Sequence, residues 1–281
     1  MANCIYCGEK AGFFKDKHPK CHSFYLEGCD KFRSVVADGA IHMDISRLKS
    51  DMSAIYEKYR LETSQARLLT IEGWECAVSV VLDDHLLTED EEKGLMTVSS
   101  AFALSQEDLD GSGCYTRVAQ AALLRDLAEG NKPNHVTIVG GTSFNYQKSE
   151  FPIWEFPQID YYEDKTRRET VGRSSGVSVR VAKGVYFRTG ASRGHSVEYT
   201  DTLHRGSGTL VITNKHLYFG GSGLKALRVR HDKIVSVEQF TDGIEIHRDA
   251  VTAKPQKFIG CDGWFLYNSV SYTHLTLPTK A

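Results

Sequence analysis

Gly208-Thr209-Leu210-Val211-Ile212-Thr213-Asn214-Lys215-His216-Leu217-Tyr218-Phe219 is the stretch that decides how this chain folds. Two apolar runs rich in β-branched and aromatic residues flank the polar Thr213-Asn214-Lys215, which reads as an antiparallel hairpin with strands at 209–213 and 216–220. Towards the C-terminus the same alternation of short run and turn repeats at 224–230, 234–240, 244–248 and 256–259. Gly220 to Gly223 and Thr241-Asp242-Gly243 supply turns between them. Upstream, Val177, Val179 and Val181 alternate with polar residues. Many short strands joined by turns indicate an antiparallel barrel or sandwich. Asp262 then caps an apolar segment, 263–270, the first turns of a closing helix.

The quoted hairpin resembles that of GRAM and related pleckstrin-homology (PH)-like domains, in which a strand, a T-N-K/R turn and a strand ending in an aromatic residue recur. Ile234-Val235-Ser236-Val237, Asp242-Gly243-Ile244 and Lys254-Pro255-Gln256-Lys257-Phe258 are similar to the family's later strands. The resemblance covers 176–270 and implies a seven-stranded antiparallel β-barrel closed by a C-terminal helix. Residues 271–281, Ser-Tyr-Thr-His-Leu-Thr-Leu-Pro-Thr-Lys-Ala, break from the preceding pattern and resemble translated sequencing-adapter tails. They are read as an artefactual tail that truncates that helix.

Further upstream the period changes. Residues 131–175, with Pro133, Pro152 and Pro157, read as an irregular linker holding one strand at 135–139. Residues 43–130 read as an all-α bundle. Ile45, Leu48, Met52, Ile55 and Tyr59 recur at three- and four-residue steps, and Leu69, Trp74, Ala77, Val78 and Val81 form a second stripe over 64–82. Thr88-Glu89-Asp90-Glu91 is a capping box, Ser105 opens a short helix, and a last helix over 115–129 stops at Gly130 and Pro133. The turn Leu82-Asp83-Asp84-His85-Leu86-Leu87-Thr88-Glu89 is similar to one in tellurite-resistance-B-like (TerB-like) helical domains, with His85 where that pattern has Gly. Acidic residues here lack the spacing and the glycine of a calcium loop.

The N-terminus carries the strongest chemical signal. Cys4-Ile5-Tyr6-Cys7 and His18-Pro19-Lys20-Cys21 are two pairs of soft ligands with the spacing of a closed tetrahedral zinc site. Residues 1–35 therefore read as a zinc-ribbon-like module holding structural Zn2+ on Cys4, Cys7, His18 and Cys21. His22 or Cys29 are alternatives to His18. The whole order is similar to bacterial proteins that join a zinc ribbon, a helical region and a GRAM-like domain, which implies a multidomain α+β adaptor.

Charge and motifs bound the function. Net charge is −2 over 281 residues, so any polyanion-binding surface is local. Lys10, Lys15, Lys17 and Lys20 surround the metal ligands, which makes a nucleic-acid-binding zinc protein the rival reading. A second basic stretch runs from Lys165 to Arg193. A third, Lys225, Arg228, Arg230 and Lys233, is the candidate ligand-binding face, where a protein segment is the first expectation and an anionic lipid the second. HExxH and P-loop patterns do not occur, so a non-enzymatic binding protein is expected, with a hydrolase as the least supported reading. Seven cysteines, three of them isolated, point to a reducing compartment. No apolar run is long enough to span a bilayer. The expected location is cytoplasmic, with peripheral membrane association if lipid is the ligand.

Overall fold

The computed structural model describes residues 2–12, 15–131, 133, 144–182, 185–250 and 253–276, and gives the backbone course alone for 63, 166–182, 185–200 and 274–276. The strand expected at 135–139 lies outside the described residues. The chain is mixed α+β and divides into two compact units, Met1–His135 and Val136–Ala281.

In the first unit a small hairpin of β1 (Ala2–Asn3) and β2 (Lys10–Gly12) leads into α1, a 24-residue helix, Pro19–His42. Helices α2 (Ile45–Tyr59), α3 (Ala66–Val81), α4 (Glu89–Ala101), α5 (Gln106–Leu109) and α6 (Cys114–Ala128) follow. The helices expected from the sequence lie where the stripes put them, but α1 was hidden inside the expected metal module. It runs through residue 35, the boundary that the sequence suggested. Its own stripe was present: Tyr25, Cys29, Phe32, Val36 and Ala40 recur at three- and four-residue steps and are all buried.

Helix α1 packs against α2, α3 and α4. Two glycines let the helices approach closely. A Cβ at Gly73 on α3 would stand 2.6 Å from the Val36 Cβ, and one at Gly94 on α4 would collide with the Ala40 carbonyl oxygen. Trp74 fills the centre of this core, fully buried, and its indole N–H donates to the Leu95 carbonyl at 3.0 Å. Thr88 with Glu91 and Ser105 with Asp108 form complete capping boxes, which satisfy the free N–H groups that open α4 and α5.

The second unit is a seven-stranded antiparallel sheet in the order β6-β5-β4-β3-β9-β8-β7. Its strands are β3 (Pro152–Ala182), β4 (Val185–Thr213), β5 (His216–Gly220), β6 (Leu227–Arg230), β7 (Ile234–Phe240), β8 (Gly243–Arg248) and β9 (Gln256–Ile259). The expected barrel is not closed: among the described residues β6 and β7 each pair on one side and stand as the two edges. The core is covered instead by α7 (Gly263–Thr276), whose Phe265, Leu266 and Val270 are buried and which packs on β7 and β8. Phe265 meets the rings of Trp154 and Phe156 at 5.1 and 5.7 Å. Asp262 accepts from the Phe265 N–H at 3.1 Å, as its position before the apolar run suggested. Helix α7 extends through residues 271–276, into the stretch that the sequence pattern set apart as a tail.

The main departure lies upstream. Residues 152–175, expected as linker, are the first part of β3. Prolines misled the reading, because both sit where a strand tolerates them. Pro152 is the first residue of β3, and Pro157 lies in the bulge between Phe156 and Ile159. The three valines at 177–181 belong to the far part of β3 rather than to the first strand of a barrel.

Candidate metal centre

The hairpin and the start of α1 build the site together. The Cys4 carbonyl accepts from the Gly8 N–H at 2.8 Å, and Gly8 takes a φ of +77°, which closes the Cys4–Cys7 turn without a side-chain clash. His18 is the N-cap of α1 in an extended conformation, and Pro19 stands at the first helical position, where its missing N–H costs nothing. Because the His18 side chain does not cap the helix, it is available as a ligand. Cys21 lies in the first turn.

These elements bring the three sulfurs and His18 Nδ1 within 4.8 Å of one another. Cys7 Sγ is 3.4 Å and Cys21 Sγ 3.7 Å from His18 Nδ1. A tetrahedron with metal–sulfur bonds of about 2.3 Å and metal–nitrogen bonds of about 2.0 Å has S···N edges of about 3.5 Å. The cluster therefore has the dimensions of a metal site. The far ring nitrogen supplies a second geometric argument. His18 Nε2 is 3.0 Å from the Lys10 carbonyl, which can only accept, so the proton belongs on Nε2 and the Nδ1 lone pair faces the sulfurs. His22 stands beside the Tyr6 ring at 5.9 Å, and Cys29 is buried in the helical core.

Desolvation acts against the Cys4 thiolate, but the backbone N–H groups of His18, Cys7 and Tyr6 outweigh it and pull Cys4 down to about 6. Desolvation, then Cys7 and Cys4, push Cys21 up to about 11. Three thiolates in one pocket repel, and a divalent cation is the species that lets all of them ionise together. Cys4, Cys7, His18 and Cys21 can hold a metal ion, and the donor set is compatible with zinc.

The chain matches no protein-family model, no curated protein and no solved structure.

The cations expected as a ligand face are all exposed: Lys225 before β6, Arg228 and Arg230 on β6, and Lys233 in the turn after it. Arg228 and Arg230 alternate with the buried Val229 and so share one side of the strand. Arg230 is already bridged to Asp232 at 2.6 Å.

Sequence reasoning missed a buried polar latch at the quoted hairpin. Glu150, whose side chain is fully buried, meets His216 Nδ1 at 2.8 Å and accepts from the Tyr218 hydroxyl at 2.9 Å and the Gln147 N–H at 2.8 Å. The Thr213 hydroxyl donates to Glu150 and accepts from the His216 N–H at 2.8 Å. Asn214 pairs with the backbone of Phe151 in both directions. Burial opposes ionisation of Glu150, yet the donors from Thr213, Gln147, His216 and Tyr218 hold its carboxyl below the usual range. With these groups saturating it, the latch is structural. It explains why both faces of β5 are buried: Leu217 and Phe219 face the core, while His216 and Tyr218 are covered by residues 144–151.

A second group, Glu238, Glu245 and His247, spans β7 and β8. Lys257 already lies 3.4 Å from Glu245 and 3.2 Å from Asp164, so a resident cation balances the acids. A groove of about 880 Å³ lies along Phe144, Glu155, Pro157, Val211 and Leu224.

Proposed function

We propose that this chain is a non-enzymatic adaptor in which a zinc-stapled helical unit accompanies a GRAM/PH-like unit that docks an extended protein segment. Three soft sulfur donors and one imidazole nitrogen in a closed set favour structural Zn2+ over harder cations. Seven antiparallel strands followed by one packed helix are the inventory that the GRAM/PH-like resemblance implies, and they support that assignment although the sheet is open.

The observation that carries the docking reading is the open edge at β7. Its seven residues pair with β8 alone among the described residues, it holds one charged residue, Glu238, and Val235 is 68% exposed. Natural edge strands are usually guarded by lysine, proline or a cover, and β7 has none of the first two. An added strand would satisfy its free backbone groups and take up Val235. The test uses proximity crosslinking from a photoreactive residue placed at Glu238 in the full chain. Crosslinks to an extended segment that disappear with Val235→Lys but survive Arg228→Glu/Arg230→Glu support strand addition. Crosslinks indifferent to Val235→Lys refute it. The second reading, anionic lipid at the exposed Arg228 and Arg230, requires flotation with phosphatidylserine vesicles that is lost in Arg228→Glu/Arg230→Glu. In both readings the protein is expected to work in the cytoplasm. No described helix is long and apolar enough to cross a membrane.

A further inference from the structure

The long hairpin of β3 and β4 is the one large feature that neither the metal centre nor the β7 edge uses. Its two strands pair continuously from Pro152↔Thr213 to Ala182↔Val185, with a few irregular steps. Only its base belongs to the sheet proper: β9 pairs with β3 at Asp160–Glu163, and β5 pairs with β4 at Thr209–Ile212. From Lys165↔Asp201 outward, each strand's partner is the other. At about 3.3 Å per residue, 165–182 make a two-stranded ribbon roughly 60 Å long.

The ribbon's charge differs from that of the rest of the chain. Residues 165–200 contain eight lysines and arginines and two acids, a net of +6 in a chain whose total is −2. Both acids, Glu169 and Glu198, lie near the base. The register then places Arg173 directly opposite Arg193. Like charges at directly opposed positions destabilise a ribbon, and nothing in the register there offers an acid to offset them. The same register brackets that pair with Gly172↔Gly194 on one side and Ser174↔Ser192, Ser175↔Ala191 and Gly176↔Gly190 on the other. A pair of arginines is thus set in a stretch of ribbon built from the smallest residues, which admits close approach of another backbone.

We infer that the β3–β4 ribbon is a docking arm for duplex DNA, held mainly through phosphates, with Arg173 and Arg193 at its centre. A two-stranded ribbon fits the B-form major groove, which is about 12 Å wide, whereas the deep, narrow major groove of A-form RNA does not admit it. A ribbon of roughly 60 Å exceeds one helical turn of about 34–36 Å, so cations at its base and far part can reach phosphates on successive turns. A polyanion would also offset the like charge that the register places at Arg173↔Arg193. This surface is separate from the β7 edge, so the inference stands apart from the protein-docking reading.

The experiment is fluorescence anisotropy of a labelled 30-base-pair DNA duplex with the full chain, from 50 to 200 mM salt. A 30-base-pair RNA duplex and phosphatidylserine vesicles are measured in parallel. The expected result is DNA affinity that falls steeply with salt, with a log–log slope of about −0.9 per phosphate contacted. Arg173→Gln/Arg193→Gln should weaken binding at least tenfold and flatten that slope by about two contacts. Its thermal unfolding should be no lower than that of the parent chain, because the substitution removes a like-charge pair. Arg228→Glu/Arg230→Glu, on the sheet, should bind DNA normally. Absence of DNA binding at 50 mM salt, unchanged affinity and slope in the ribbon variant, or equal or tighter binding of duplex RNA or vesicles would each overturn the inference.

Discussion

The metal centre and the Glu150 latch are both compact polar clusters with a histidine at the centre, and the chain assembles them in opposite ways. All four candidate ligands fall within residues 4–21, and short-range turns position them. The latch joins Glu150 to partners 63 to 68 residues away, across the whole length of the ribbon. A cluster closed by local chain can form early and cheaply. One closed over a long loop relies on the sheet to bring its halves together. The first should therefore depend on its ion and the second on its carboxylate.

The largest effect should follow from Cys4→Ser/Cys7→Ser. Zinc content, measured by atomic emission, should fall to background, and far-UV circular dichroism should lose the signal of the opening turns of α1. Zinc content equal to that of the parent chain would falsify the assignment. Next in size is Gly94→Val. The new side chain meets the Ala40 carbonyl, so α4 must move away from α1, at a cost of about 3 kcal/mol or more in urea unfolding. The contrast requires that this damage be confined to the helical unit and leave the near-UV signal of Trp154 and its neighbours intact.

The smallest of the three is Glu150→Ala. Thr213, His216 and Tyr218 lose their common acceptor, and the sheet unit should be destabilised by about 2 kcal/mol. Acid provides the matching test. The folded carboxyl of Glu150 titrates below its unfolded value of about 4.3, so its contribution is complete above that value and disappears as the pH falls through the folded one. The parent chain should lose sheet stability below about pH 4, and Glu150→Gln should flatten that dependence. A pH profile identical in both proteins would place the acid sensitivity elsewhere.

The same contrast explains what could be read in advance. Cys4, Cys7, His18 and Cys21 were legible because ligand spacing is a local pattern, and Thr213-Asn214-Lys215 was legible because turn chemistry is local too. Strands from His216 onward fell where alternation put them, except that the one expected at 224–230 starts only at Leu227. Glu150 carried no signal, since nothing in Ser149-Glu150-Phe151 says that a threonine and a histidine more than sixty residues later will close over it. The openness of the sheet was likewise hidden: a strand list gives neighbours, and whether β6 meets β7 depends on how α7 packs. Helix α1 failed for another reason. Its helical stripe was present, but the ligand pattern at its start drew the reading towards a small separate module.

That helix carries a consequence for biosynthesis. Chains are made from the N-terminus, and the ligand set precedes every helix that α1 packs against. An ion captured by Cys4, Cys7, His18 and Cys21 would fix the first turn of α1 before α2, α3 and α4 have left the ribosome. Starting a helix is its unfavourable step, and here coordination chemistry can take it over. The metal would then act chiefly on the order of events in folding, handing later segments a ready-made surface on which to assemble.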